Sequence, residues 1–303
     1  MNKQVIRLLK KGSLLIAILL LLDQGIGSLI GYYFKRETLG DSFIVTYALT
    51  KASEDVIVLG SSRAAHHYVP DVITRQTDLT SFNVGRDGMN ISYHYPILKG
   101  ILAHHTPKVV IFDLNFNEFM LRKAQERTMI SSLLPYIAEN SSVKKIILEK
   151  DPIEYWKGRI SLLYRYNSLP ASIMQHNLGI GQKHDNGYEP LNGNKLKSIS
   201  DTLENNSDYE ENPELVKNFK DFVEILQRKN VKLFVIISPT ARKNRYNSYA
   251  TAEKILHKHG LKLYDYSEFS GSDRLALFYN GTHLNDTGAR IFTETMVQDL
   301  KIN

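Results

Sequence analysis

Five short apolar runs, rich in β-branched residues, alternate with helix-like segments along the chain, and this alternation limits the possible folds more than any other feature. The runs lie at 55–59, 81–84, 108–114, 231–237 and 261–265, and the helical patterns at 63–76, 91–105, 213–230, 247–259 and 285–300. The runs are mostly apolar on both faces, as in central strands of parallel sheets. The alternation therefore predicts a three-layer α/β/α sandwich around a parallel sheet of about five strands.

Residues 120–212 interrupt this rhythm between the third and fourth runs. The segment ends in a polar stretch, from Gly179 to Asn212, that is rich in Asn, Gly, Asp and Ser. We interpret it as an insertion, part helical and part irregular. A long insertion of this kind in a compact domain is usually a lid or a binding loop. The sequence thus predicts one domain over 54–303 that carries an insertion at about 120–212.

The N-terminus combines basic residues with a long apolar segment. Residues 1–36 hold six Lys or Arg and one acid, Asp23, so five of the six net positive charges lie here. Residues 12–34 are 23 positions, enough for a helix to cross about 30 Å of hydrocarbon. We predict a basic segment and transmembrane anchor over 1–36, followed by a linker over 37–53. The cations before the helix place the N-terminus in the cytoplasm and the domain outside it, in the periplasm or at the cell surface. The alternatives are a cleaved signal peptide, with Gly25-Ile26-Gly27 as a poor cleavage site, and a buried core helix.

Composition excludes several classes of protein. The chain has no cysteine, which rules out disulfide scaffolds, zinc ribbons and thiol chemistry. Beyond residue 36, 32 cations face 31 acids, so nothing favours a nucleic-acid partner. The pairs His66-His67 and His104-His105 lack metal-ligand spacing, and we interpret them as surface or partly buried histidines. We expect no metal and no cofactor.

Polar residues follow three of the predicted strands, and a histidine precedes the last helix. Gly60-Ser61-Ser62-Arg63 follows the first run, and the glycines at 85 and 88 follow the second. Asn115 and Asn117 follow the third run, and His283 stands just before 285–300. Each feature alone is typical of a helix cap or a turn. Together they place a hydroxyl, a glycine, an amide and a candidate base at one sheet edge.

In this order the residues resemble the SGNH/GDSL hydrolase superfamily, over roughly 54–119 and 231–300. The resemblance implies a flavodoxin-like fold, Ser62 as nucleophile, His283 as base, and an oxyanion hole made by Ser62, Gly88 and Asn117. Ser61 stands where GDSL members have Asp, while Asn115 and Glu118 replace a Gly and an Asp of the third block. The GSSR form and the anchor look like the membrane-tethered cell-envelope branch, which includes acyl-transfer proteins acting on alginate and teichoic acids.

One position departs from the family pattern. Members carry an aspartate three residues before the histidine, and this sequence has Asn280 there. An amide cannot supply the charge that stabilises an imidazolium. Three outcomes stay open: a Ser62–His283 dyad, a substitute acid such as Asp286 or Asp265, or a site that only binds.

The sequence therefore predicts a serine-dependent esterase or O-acyltransferase that acts, through an acyl-serine, on acyl groups (acetyl foremost) of cell-surface polysaccharide. Its partners would be an acylated glycan or a small ester, the membrane, and a membrane-bound acyl donor. The same residues serve hydrolysis and transfer, so the motifs do not choose between them. The rivals are an inactive envelope protein of the same fold, which binds glycan or an acyltransferase partner, and a soluble cytoplasmic esterase.

Overall fold

The structure, a computed structural model, describes residues 2–120, 122–195, 210–241, 248–268 and 274–302. The strands are β1 Val56–Gly60, β2 Ser81–Asn83, β3 Val109–Asp113, β4 Lys232–Ile237 and β5 Leu263–Asp265. The helices are α1 Lys3–Phe34, α2 Gly40–Thr50, α3 Ser62–His67, α4 Pro70–Thr77, α5 Ile91–Ile101, α6 Lys123–Leu133, α7 Ser141–Lys150, α8 Pro152–Ile160, α9 Leu162–Arg165, α10 Pro170–Asn177, α11 Pro213–Arg228, α12 Ser248–Lys258 and α13 Asp286–Leu300.

The strands form one parallel sheet in the order β2-β1-β3-β4-β5. The register pairs Val58 of β1 with Asn83 on one side and Ile111 on the other. In an open sheet with this strand order, the chain switches direction between β1 and β3, and ligands bind beyond the carboxyl ends of those strands. The predicted fold class, a parallel sheet of five strands with helices around it, is confirmed.

Helices cover both faces of the sheet because each central strand is apolar on both sides. One face, with Val58 and Ile111, shares a buried core with side chains of α3, α4 and α13. On the opposite face the Phe112 ring packs against Phe219 and Phe222 of α11, at centroid distances of 5.9 and 5.1 Å. Since successive strand residues point to opposite faces, the continuous apolar runs supply both cores.

The helices differ from the predicted patterns in two places. Residues 63–76, predicted as one helix, fall in two helices, α3 and α4. The break occurs because Pro70 has no backbone N–H to donate and the backbone of Val69 before it is extended. Residues 40–50, within the predicted linker, form α2, which buries Ile44 and Val45.

The described chain divides into two compact units. The first comprises residues 1–43 and 127–181, and the second comprises residues 44–126 and 182–303, including the whole sheet. Residues 127–181 of the predicted insertion thus belong to the same unit as α1. Of that insertion, residues 121 and 196–209 lie outside the described residues.

Helix α1 has a mean hydropathy of 2.1 over its most apolar 18-residue window, and only 11% of that window is buried. Among the described residues, it is the helix long and apolar enough to cross a membrane.

Candidate active site

Ser62 is the first residue of α3 and lies two residues beyond the end of β1. Gly60 has φ 139°, a backbone conformation that residues with a side chain rarely adopt, and the backbone of Ser61 is extended. This sharp strand-to-helix turn leaves the Ser62 side chain half-buried rather than enclosed. The first N–H groups of a helix have no partner within the helix, so the Ser62 N–H is available to an oxygen atom of a ligand.

His283 lies 221 residues further along the chain, yet its Nε2 is 2.7 Å from Ser62 Oγ. It stands on the loop before α13, and a bridge between Phe278 and Leu284 closes that loop. The hydroxyl and the imidazole, two residues that the sequence predicts to be catalytic, are thus in hydrogen-bond contact.

Asn280 sets the orientation and tautomer of the His283 ring. Its Oδ1 accepts hydrogen bonds from the N–H groups of Thr282 and His283, both at 3.0 Å, which identifies that atom as the amide oxygen. His283 Nδ1 lies 3.1 Å from the same oxygen. Because this oxygen can only accept, Nδ1 carries the proton, and Nε2 is left as the acceptor for the Ser62 hydroxyl. Asn280 therefore holds the ring as an aspartate would, but without a negative charge.

The surroundings of His283 disfavour its protonation. Burial, and then the charge of His66, lower the pKa of His283 to about 4. The two acids considered as substitutes lie elsewhere: Asp286 accepts a hydrogen bond from Tyr188 and pairs with Arg290, and Asp265 accepts one from the Ser267 N–H. Neither makes a hydrogen bond or ion pair with His283 among the described contacts. The base is consequently neutral at ordinary pH and weakly basic.

Two histidines that the sequence analysis treats as surface or partly buried residues are buried beside His283, so that prediction is wrong. The His66 and His67 rings lie 5.5 and 6.1 Å from the His283 ring. They are 5% and 0% exposed because both lie on the short helix that packs against the sheet. No group of three or more potential metal ligands occurs among the described residues.

His66 and His67 have different electrostatic roles. His66 Nε2 is 3.1 Å from Asp87 Oδ1, and although burial opposes protonation, this carboxylate raises the pKa of His66. Burial and the nearby cationic groups lower the pKa of His67, which is neutral. His67 Nε2 accepts the Leu284 N–H at 3.0 Å and Nδ1 donates to Ser238 Oγ at 2.9 Å. His67 thus ties the loop that carries His283 to the end of β4.

A buried ion pair fixes the start of α3. Arg63, next to Ser62 in sequence, places Nη2 3.0 Å from Asp113 Oδ1 at the end of β3, and both side chains are at most 4% exposed. Tyr68 donates to the other carboxylate oxygen at 2.7 Å, and Arg63 also donates to the Leu114 carbonyl. This pair was not predicted, although the sequence places a cation directly after the serine and an acid at the end of a predicted strand.

Besides the Ser62 N–H, the sequence predicts Gly88 and Asn117 for the oxyanion hole, and their surroundings differ from each other. Gly88 is exposed, with φ 71°, and its carbonyl accepts a hydrogen bond from Gln125. Asn117 is half-buried, and its side chain makes no hydrogen bond to any residue that the structure describes. Asn115 does make one: its Nδ2 donates to Ser61 Oγ at 2.9 Å, next to the candidate nucleophile. Asn115 lies two residues beyond the end of β3, and the family resemblance assigned the oxyanion role to Asn117 rather than to Asn115.

Comparisons with known sequences and with solved structures give different results. No protein-family model and no curated protein matches the sequence. A solved structure described as a platelet activating factor from Streptococcus pneumonia covers 99% of this chain and 99% of its own, at 9% identity and a TM-score of 0.40. An acetyl xylan esterase covers 81% and 99%, at 11% identity and a TM-score of 0.39. A protein of Desulfitobacterium hafniense, described as a lipolytic protein of the G-D-S-L family, covers 80% and 97%, at 10% identity and a TM-score of 0.38. The chemistry of this chain is therefore inferred from its own side chains.

Proposed function

We propose that this chain is a serine-dependent esterase or O-acyltransferase of the SGNH type, held at a membrane by α1. The observation that carries the proposal is the 2.7 Å contact between Ser62 Oγ and His283 Nε2, with Nδ1 held by Asn280. A hydroxyl hydrogen-bonded to an oriented, unprotonated imidazole is the arrangement that nucleophilic catalysis by serine requires.

The reaction has two steps. Ser62 Oγ attacks the ester carbonyl while its proton passes to His283 Nε2, and the tetrahedral intermediate collapses to acyl-Ser62 as Nε2 returns the proton to the leaving alcohol. Water or an acceptor hydroxyl then attacks the acyl carbonyl as Nε2 takes its proton. The second tetrahedral intermediate expels Ser62 Oγ, which receives that proton from Nε2, and the carboxylic acid or the new ester leaves. The Ser62 N–H, the Gly88 N–H and the Asn117 amide are the groups proposed to bind the oxyanion.

The substrate proposed is an acyl ester, acetyl foremost, on a polysaccharide at the cell surface. Its support is the apolar N-terminal helix, which would keep the domain near an envelope polymer, with the N-terminus in the cytoplasm. A membrane-bound acyl donor would be needed if the reaction is transfer rather than hydrolysis.

A second function, binding without catalysis, is favoured by one observation. His283 has a pKa of about 4, and no carboxylate among the described residues contacts its Nδ1, so its basicity is well below that of a base tuned to neutral pH. A site of this kind would bind an acylated glycan, or an acyltransferase partner, without turning over the ester.

Covalent labelling by a fluorophosphonate separates the two functions. The wild-type chain should be labelled at Ser62, and Ser62→Ala should lose the label together with turnover of a short-chain ester such as p-nitrophenyl acetate. Ser61→Ala is the matched control, because Ser61 Oγ contacts Asn115 rather than His283, and this variant should keep the label. Equal labelling and turnover by Ser62→Ala would sink the proposal, and an unlabelled wild type would favour binding alone.

A further inference from the structure

Helices α8 and α10 expose more apolar surface than a water-facing helix does. Ile153, Trp156 and Ile160 on α8 are 68, 57 and 65% exposed, at spacings of three and four residues. Met174 on α10 and Leu178 and Ile180 just after it are 60–68% exposed. Contiguous apolar patches of this kind mark a binding surface.

The two helices belong to the unit that contains α1, and α9, which lies between them in sequence, packs against the C-terminal half of α1. Gly27 and Gly31 are the close-contact points: a Cβ on Gly27 would lie 2.3 Å from Leu162 Cβ, and one on Gly31 would lie 2.8 Å from the Tyr166 hydroxyl. Phe34 packs against the Tyr166 ring, at a centroid distance of 5.3 Å. These contacts begin near Asp23 and continue to the C-terminal end of α1.

Asp23 shows where this packing starts. Its carboxylate accepts hydrogen bonds from Ser161 Oγ and from the Leu162 N–H, the latter at 2.8 Å, so it caps the N-terminus of α9. Gln24 donates to the Ile160 carbonyl at 3.2 Å. The last residue of α8 therefore lies level with Asp23 along α1.

Helix length then sets the depth of α8 in a membrane. The membrane-spanning part of α1 can begin no earlier than Lys3, the first residue of the helix. In that placement residues 3–22 cross the hydrocarbon, because 20 helical residues cover about 30 Å. Asp23 then lies at the far boundary of the hydrocarbon, and any placement closer to the C-terminus puts it deeper. Under every placement, the C-terminal end of α8 lies at or below the boundary of the leaflet opposite the N-terminus. With the predicted span of 12–34, so does α10, which lines a groove together with Leu29 and Tyr33 of α1.

We infer that α8 and α10 form an in-plane membrane surface, with their exposed apolar side chains among the acyl chains of that leaflet; this rests on the proposed anchoring by α1. Two apolar grooves continue the surface. One, of about 500 Å³, is lined by Ile153, Trp156 and Ile160, and the other, of about 360 Å³, lies between α10 and Leu29 and Tyr33 of α1. A tryptophan among aliphatic residues, with Lys157 and Arg159 on the same helix to reach the headgroups, suits the membrane interface.

Trp156 is the only tryptophan in the sequence, so its fluorescence reports this surface directly. The full chain would be reconstituted, one copy per nanodisc, in phosphatidylcholine and phosphatidylglycerol whose acyl chains carry bromine either near the headgroup or near the methyl end. We expect bromine near the headgroup to remove most of the Trp156 emission, and acrylamide in the water to have little effect. Leu19→Trp in a Trp156→Phe background is the matched reporter for α1 itself, because Leu19 is 56% exposed in its apolar run.

The pair of reporters distinguishes the failure of this surface from the failure of the anchor. Bromine quenching of the Leu19→Trp reporter, together with acrylamide-sensitive and bromine-insensitive emission from Trp156, would overturn the membrane surface and leave the anchor standing. That result would also point to another protein as the occupant of the α8 and α10 face. Bromine-insensitive emission from both reporters would overturn the anchor and, with it, the surface.

Discussion

Asn280 supplies geometry at the candidate active site but no charge. Its Oδ1 receives two backbone N–H groups and His283 Nδ1, so the imidazole is held in the tautomer that a serine nucleophile needs. Replacing a triad aspartate by asparagine costs about 10⁴ in kcat in serine proteases, chiefly because the tautomer is then wrong. Here the tautomer is right, so the missing charge is the deficit that remains.

Asn280→Asp should therefore raise esterase activity, by about tenfold or more, because a carboxylate against Nδ1 stabilises the imidazolium in the transition state. Asn280→Ala should lower activity, because it removes the acceptor that orients the ring. Turnover of p-nitrophenyl acetate by the two variants and by wild type checks both effects. If Asn280→Asp raised neither the esterase activity nor the fluorophosphonate labelling, that result would contradict the role of His283 as the base.

The pH dependence of activity is a second residue-scale prediction. His283 acts as a base only when neutral, and burial lowers its pKa to about 4. The value of kcat/KM should therefore be level from about pH 8 to about pH 5 and fall to half near pH 4. In Asn280→Asp the midpoint should move to higher pH, because the added negative charge raises the pKa of His283. A wild-type midpoint near the ordinary histidine value of about 6.5 would instead indicate a solvated histidine.

At the scale of elements, the link between β2 and α3 positions Ser62. Asn83, the last residue of β2, donates through Nδ2 to the Ala64 and Tyr68 carbonyls at 2.7 and 2.9 Å, and its Oδ1 accepts the Gly85 N–H. Gly85 then lies against the backbone of α3: a Cβ there would be 2.3 Å from the Ala65 nitrogen. The helix that carries the nucleophile can approach this loop only because residue 85 has no side chain.

Gly85→Ala should destabilise the fold by about 3 kcal/mol, because backbone on both sides of the clash cannot move aside as a flexible side chain would. Gly88→Ala is the matched control three residues away. There φ is 71° and a Cβ would meet nothing within 4 Å, so the cost is backbone strain of about 1–2 kcal/mol. Urea unfolding of both variants gives the comparison, and an equal loss in the two would refute the close-packing argument.

At the scale of the whole molecule, buried titratable groups of opposite kinds set the pH range of stability. Burial lowers the pKa of His94 to about 3, so its contribution is complete above its unfolded value near 6.5 and is lost as pH falls towards 3. Burial raises the pKa of Glu118 to about 8, so its contribution is complete below its unfolded value near 4.5 and is lost as pH rises from there towards 8. The two ranges overlap between about pH 4.5 and about pH 6.5, where the gain from His94 offsets the loss from Glu118 as pH rises, so stability should be highest there.

Glu118→Gln should flatten the alkaline side of this profile, because glutamine stays neutral at every pH. Its Tm should fall less than that of wild type between about pH 5 and about pH 9, while the acid side stays the same. Glu253→Gln, at an exposed position on α12, is the control and should follow the wild-type curve. Parallel wild-type and Glu118→Gln curves across this range would show that Glu118 does not titrate there.

Local patterns in the sequence determined the fold class, the order of strands and helices, and the apolar N-terminal helix. Periodicity, β-branching and residues such as Pro70 act between near neighbours, so they are legible in the chain itself. Only the tertiary structure decided that His66 and His67 lie beside His283, that Asn115 contacts Ser61, and that Asp23 caps α9. These contacts join residues from 54 to more than 200 positions apart, and they depend on how buried surfaces fit together rather than on any nearby pattern.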